Sequence, residues 1–159
     1  MVPVPATEAM LAACGVPFTS LRNGFYASSA VMMVGRAYQT GEIVAPPDGP
    51  VSWTTHDDLA DAAVIALTEP ARLQGITPAL TGPAALDLAG LGQIIAELTG
   101  RPVKRVLATE ETHRAAMVQH GVPEERADMM LGLFRASFAG EFAKVDPTLG
   151  ELLVACATC

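Results

Sequence analysis

The chain has little charge, few aromatic residues and no long hydrophobic run, and each shortage excludes a class of protein. Only 17% of its 159 residues are charged, the formal net charge is −7, and the ten Lys and Arg residues are scattered. Phosphate backbones are held by clustered cations, so a nucleic-acid interface is excluded as the expected partner. No apolar run reaches the eighteen or more residues of a membrane span, and Met1 to Pro5 lacks the basic start and apolar core of a signal peptide. The expected setting is therefore the cytoplasm. Three cysteines, Cys14, Cys156 and Cys159, are an odd count without framework spacing, in keeping with a reducing compartment. Cys156-Ala-Thr-Cys159 has C-x-x-C spacing, but no second ligand pair and no thioredoxin-like βαβ pattern accompanies it. Cys156 to Cys159 reads as a frayed tail.

Also lacking is a glycine-rich phosphate loop. The one G-x-G, Gly90-Leu91-Gly92, lies inside a helical pattern with Ile95 where a third small residue belongs, and there is no Walker-type loop. A Tyr with Lys four residues later is missing too: Tyr26 is followed by Ala30 and Tyr38 by Glu42.

What is present is a globular composition, with 50% hydrophobic residues and length enough for one domain over residues 1–159. Thr7 to Cys14 is helix-forming and stops at Gly15 and Pro17; Phe18 to Leu21 reads as a strand. Asn23-Gly24 tolerates positive φ and turns the chain sharply at the strand's carboxyl end, where ligands sit in open α/β sheets. Ala27 to Tyr38 reads as a largely buried helix or lid ending at Gly41. Short strands follow at Glu42 to Ala45 and Val51 to Thr54. Thr55 or Asp57 caps a helix through Thr68, whose apolar stripe is Leu59, Ala62, Ala63, Ala66 and Leu67. Ile76 to Leu80 is a strand. Asp87 or a neighbour opens a helix with Leu88, Leu91, Ile94, Ile95 and Leu98 at helical spacing, closed by Gly100. Val103 to Leu107 is the last strand. Helices begin at Thr109 to Thr112 and at Pro123-Glu124-Glu125, the latter with Met129, Met130, Leu133 and Phe134 on its apolar face. His56-Asp57-Asp58 reads as a helix start rather than a catalytic cluster, and His113 and His120 as surface residues.

Four stretches carry a resemblance: Ala6-Thr7-Glu8-Ala9-Met10-Leu11 running on to Leu21-Arg22-Asn23-Gly24-Phe25-Tyr26; Ser52-Trp53-Thr54-Thr55-His56-Asp57-Asp58-Leu59; Leu80-Thr81-Gly82-Pro83; and His120-Gly121-Val122-Pro123 leading to Ala127-Asp128-Met129. In order and spacing they resemble the NmrA-like branch of the atypical short-chain dehydrogenases, the NAD(P)H:quinone oxidoreductase type above all, from Thr7 to Leu153. The resemblance covers the second half of such a protein, without its N-terminal Gly-rich βαβ unit, and Met1-Val2-Pro3-Val4-Pro5 directly ahead of it reads as a truncation or an internal start. Val154 to Cys159 departs from the family, which reads as a cloning scar or an altered frame.

The resemblance implies an α/β, partial Rossmann-like fold: C-terminal strands around Phe18 and Ile76, plus a mostly helical substrate-side lobe from Gly82 onward, together the C-terminal portion of an NAD(P)-binding domain. It implies an NAD(P)H-dependent quinone-type oxidoreductase, present here as the substrate-side part, with a non-catalytic dinucleotide-linked regulatory module or a truncated remnant as alternatives. Arg22, Asn23, Gly24, Phe25 and Tyr26 would meet NADPH or NADH, although binding by this chain alone is not implied. Tyr26 and Trp53 would meet a quinone-like substrate. The other reading of this turn is that Asn23-Gly24 serves backbone geometry and the aromatics are core. No metal is expected. The strand at Phe18 would lack its usual neighbours, leaving an edge open to a homo-oligomer or to a complementing N-terminal half.

Overall fold

A computed structural model describes residues 4–156. In chain order the elements are α1 (Val4–Ala13), β1 (Thr19–Asn23), β2 (Phe25–Tyr26), α2 (Ala27–Val34), α3 (Ala37–Thr40), β3 (Glu42–Ala45), β4 (Val51–Thr54), α4 (His56–Thr68), β5 (Gly75–Leu80), β6 (Ala85–Leu86), α5 (Leu88–Thr99), β7 (Lys104–Leu107), α6 (Glu110–Gln119), α7 (Glu124–Phe138) and α8 (Thr148–Cys156). They form two compact units: residues 4–26, 54–83 and 145–156 in one, 27–53 and 84–144 in the other. The helical lobe therefore does not simply begin at Gly82. It takes in 27–53, and the last helix returns to the first unit.

In the first unit β1 and β5 pair in parallel, Thr19 opposite Gly75 and Asn23 opposite Leu80. The register slips between Ser20 and Arg22, where the Arg22 amide donates to the Thr77 hydroxyl (3.1 Å) instead of to a carbonyl. Leu59, Ala62 and Ile65 of α4, Leu80 of β5 and Leu149 and Leu152 of α8 form the core. The buried stripe of α4 is thus Leu59, Ala62 and Ile65, with Ala63 and Ala66 half-buried beside it, while Leu67, expected on the stripe, is 83% exposed. Thr55 is the N-cap, its Oγ1 accepting the Asp58 amide at 3.1 Å. Asp57 and Asp58 fill the first turn, where the helix dipole favours negative charge.

In the second unit β3 and β7 pair in parallel, Glu42 opposite Lys104 through Ala45 opposite Leu107, and β4 runs antiparallel to β6. Ala37, Ile43, Ala45, Leu88 and Phe134 are its core. The expected helix from Ala27 to Tyr38 is broken at Gly35, which takes φ +54°, and it is not buried, since Val31 and Met32 are 70% and 65% exposed. On α5 only Leu88 and Gly92 are buried, and Leu98 is exposed. On α7 the buried face is Ala127, Leu131, Phe134 and Ser137, an i, i+4, i+7, i+10 set that leaves Met129 outside. Asp87 caps α5 through the Gly90 amide (2.7 Å), as expected. Gly90 and Gly92 both lie in α5, and a Cβ on Gly92 would sit 3.3 Å from Ile43 Cδ1, so this G-x-G serves packing. At the chain's end α8 carries the backbone through Cys156, the first residue of the expected frayed tail. Ala157 to Cys159, and with them the C-x-x-C pairing, lie outside the described residues.

Arg105 on β7 ties this unit together. Its guanidinium donates to the carbonyls of Ala45 (2.9 Å), Val106 (2.6 Å) and Pro46 and to Asp48 Oδ1 (2.9 Å), while Asp48 Oδ2 accepts the first amide of α5, Leu88 (2.7 Å). Both side chains are largely buried, 15% and 10% exposed. Removing one partner leaves a buried charge without its counterion, so Asp48→Ala is expected to destabilise the protein by about 3 kcal/mol, read as a lowered urea midpoint.

Candidate functional site

The candidate turn sits at the carboxyl ends of β1 and β5. Asn23 ends β1, the Gly24 amide donates to the Leu80 carbonyl at 2.8 Å, and Phe25 and Tyr26 follow at once as β2. Gly24 does not take positive φ, and neither does any non-glycine among the described residues. The reason for glycine is proximity: a Cβ at Gly24 would lie 2.6 Å from Thr54 Oγ1 and 2.7 Å from the Leu80 carbonyl oxygen. Thr54 is buried, and its hydroxyl accepts the Gly82 amide at 3.1 Å and reaches the Leu80 carbonyl at 3.4 Å. The expected turn is therefore a flat crossing pressed onto its neighbours, which carries the chain straight from β1 into the aromatic pair.

Of the five residues expected to meet a cofactor, two have structural work. Gly24 is packed against protein, and Arg22 is engaged on the α1 side. Its Nε donates to Glu8 Oε1 (2.9 Å) and its Nη2 pairs with Oε2, with Ser20 Oγ donating to the same carboxylate at 3.0 Å. Glu8 is 3% exposed. The Arg22 hydrogen bonds hold its carboxyl below the usual carboxylate range against the opposing effect of burial, and Glu8 in turn raises the guanidinium. Asn23, Phe25 and Tyr26 remain. Asn23 is exposed, Phe25 half-buried, and Tyr26 41% exposed with its ring over His56, centroids 4.6 Å apart and planes tilted by 32°.

His56 is the residue that sequence reasoning passed over. It opens α4, as expected of a helix start, and its imidazole also lies against the Tyr26 ring. No sequence signal marks this, because the whole of 27–53, which belongs to the other unit, separates it from Tyr26. Trp53 belongs to the second unit, where its indole Nε1 donates to the Leu86 carbonyl at 2.9 Å. His113 is not a surface residue: it is half-buried, edge-on to Phe134 with centroids 5.3 Å apart, and burial, then the Arg105 charge, pushes its pKa down. Among the described residues no group of three or more His, Cys, Asp or Glu is placed to hold a metal.

A dinucleotide needs more than this turn. Its pyrophosphate is held where a glycine-rich turn leads from a strand into a helix N-terminus. The glycines with positive φ among the described residues are Gly15, Gly35, Gly41, Gly100, Gly121 and Gly140, each following a helix, and Gly75, which opens β5. None joins a strand's end to a helix's start. The residues present suit the flat end of such a cofactor, and they do not fit the whole.

The first unit, a parallel strand pair covered by helices and with Asn23, Phe25 and Tyr26 at its carboxyl end, defines a partial Rossmann-like α/β fold. Comparison with known proteins agrees. The chain is 36% identical over 121 residues to an NAD(P)H azoreductase of Xenophilus azovorans, covering 76% of this chain and 42% of that protein. Among solved structures it superimposes on the NADPH complex of an NADPH-dependent quinone oxidoreductase from Escherichia coli, with a TM-score of 0.82 and 29% identity over 93% of this chain and 52% of that one. It superimposes equally on the NADP(H) complex of a Citrobacter sp. triphenylmethane reductase, with a TM-score of 0.83 and 31% identity over the same shares. No family model matches the chain. The chain is a relative of the NmrA-like, NAD(P)H-dependent reductases, and it spans about half the length of the relatives it matches.

Two expected outcomes follow from the geometry. Gly24→Ala is expected to cost about 1–3 kcal/mol by overpacking, seen as a lower thermal midpoint; adding Thr54→Ala does not restore it, because the Leu80 carbonyl stays in the way. Since Arg22 depresses the Glu8 carboxyl, their pair contributes stability above the unfolded carboxyl's pKa of about 4.3 and loses it as pH falls through the lower folded value. Glu8→Gln should therefore flatten the acid side of a stability-against-pH curve, measured by urea midpoints from neutral to acid pH.

Proposed function

We propose that this chain is the substrate-side part of a cytoplasmic NAD(P)H-dependent reductase acting on quinone-like, electron-accepting small molecules. The observation that carries the reading is the rigid crossing at Gly24, which presents Asn23, Phe25 and Tyr26 at the carboxyl end of a parallel strand pair, the position at which α/β proteins hold ligands. The likeness to NADPH-dependent reductases over nearly the whole chain supports it. In this reading the Asn23 amide meets a polar group of the nicotinamide or the substrate. Phe25 and Tyr26, the latter backed by His56, wall a planar ring. The hydride comes from the dinucleotide when bound, and the pyrophosphate is seated by a Gly-rich βαβ unit, supplied by more of this chain or by a partner. An aqueous assay of the chain by itself is accordingly a test of binding and not of turnover.

The test is a fusion of the first half of the Escherichia coli quinone oxidoreductase to this chain. The fusion is expected to bind NADPH by calorimetry and to reduce a benzoquinone. Asn23→Ala and Tyr26→Ala should each lower kcat/KM by about tenfold or more while far-UV circular dichroism stays the same. A fusion that folds and binds NADPH but reduces no quinone overturns the proposal.

A further inference from the structure

One close contact sets two rings beside each other. At Gly24 the backbone is pressed onto Thr54, so closely that a Cβ there would lie 2.6 Å from the hydroxyl oxygen. Tyr26 follows Gly24 by two residues, and His56 follows Thr54 by two. The residues between them are extended: Phe25 is in β2, and Thr55 takes φ −78° and ψ 154°. Extended backbone returns side chains to the same face every second residue, so the contact at Gly24 and Thr54 brings Tyr26 and His56 to one side together. Their rings meet there, centroids 4.6 Å apart and planes tilted by 32°, at a separation where aromatic pairs attract.

The backbones under both rings are held. The Gly24 amide donates to the Leu80 carbonyl (2.8 Å), and the start of α4 is fixed by Thr55, whose hydroxyl accepts the Asp58 amide (3.1 Å). The helix needs nothing from the imidazole, since Thr55 caps it and Asp57 and Asp58 supply its acidic first turn. Among the described residues no hydrogen bond or ion pair engages the Tyr26 phenol or the His56 imidazole. Within the first unit, the contact between the rings is what orients them.

We infer that His56 is a positioning residue: its imidazole packs against one side of the Tyr26 ring, fixes its rotamer, and so presents the other side to a flat, electron-poor acceptor. The face of a phenol ring is negative, which suits a quinone-like ring depleted of electron density by its carbonyls. The inference rests on the reductase reading of this turn and adds the residue that decides how firmly the acceptor is held. His56 acts through Tyr26 and not on the acceptor, so it governs binding and leaves the chemical step alone.

The fusion to the first half of the Escherichia coli quinone oxidoreductase tests it, with proton NMR of the chain itself as a readout that needs no cofactor. Losing the support of a stacked ring should raise KM for a benzoquinone by about threefold to tenfold in His56→Ala, with kcat unchanged. His56→Phe keeps a stacking ring that has no proton to exchange, and it is expected to bring KM back to within about twofold of the original. In the chain by itself, His56→Ala should shift the Tyr26 ring protons, which lie in the ring current of the imidazole, and in His56→Phe they should again sense a stacked ring. A fusion that reduces quinone with the same KM in His56→Ala overturns this inference alone, as do Tyr26 ring protons that do not move. So does a kcat that falls in both variants, since the imidazole then exchanges a proton in the reaction. A fusion that folds and binds NADPH but reduces no quinone overturns the reductase reading, and this inference with it.

Discussion

The contact between the Gly24 backbone, the Thr54 hydroxyl and the Leu80 carbonyl is the constraint on which the candidate site depends. It brings together three separate segments of the first unit, the ends of β1, β4 and β5, within hydrogen-bond distance. Everything the site presents is aimed by it: Asn23 lies just before the contact, Phe25 and Tyr26 just after, and Gly82 is held by the same hydroxyl. The contact can be this close because glycine has no Cβ and because Thr54 satisfies its own polar atom while buried. A site built this way is preorganised by the sheet rather than by loops.

Local chemistry made much of the fold legible. Thr55, Asp87 and Thr109 each announce a helix start through a side-chain oxygen that accepts the amide three residues on, and all three do so. Gly41 and Gly100 each end a helix in the left-handed region. Glu42–Ala45 and Val51–Thr54 fall where their flanking turn residues place them. What could not be read locally was which turn of an apolar helix meets its neighbours. Leu67, Leu98 and Met129 are hydrophobic and exposed, whereas Ile65, Gly92 and Ala127 are the residues that face a core. Helical spacing gives an angle between side chains, and the packing partner decides which angle is inside.

The site was legible in part, for the same reason. Asn23-Gly24 at a strand's end is a visible signal, but its usual meaning, a turn through positive φ, is not the one realised here. Two long-range contacts decide the outcome. Glu8, fourteen residues away in sequence, draws off Arg22, and His56 comes to rest under Tyr26. Neither leaves a mark on periodicity or composition. The resemblance pointed to this segment, and only the packing shows that Arg22 and Gly24 hold the scaffold while Asn23 and Tyr26 are exposed.

Arg105 has a consequence for where ligands can go. The protein contains two parallel strand pairs, and a parallel pair directs its carbonyl-rich termini toward whatever binds. In the second unit that terminus is stoppered from within: a guanidinium from β7 fills the acceptor positions at Ala45 and Pro46, and a carboxylate neutralises it. At the equivalent terminus of the first unit the cation, Arg22, is drawn away onto Glu8 of α1. The two units share a strand arrangement but divide the labour: in the second a buried ion pair fills the terminus, and in the first the cation is turned aside onto a helix.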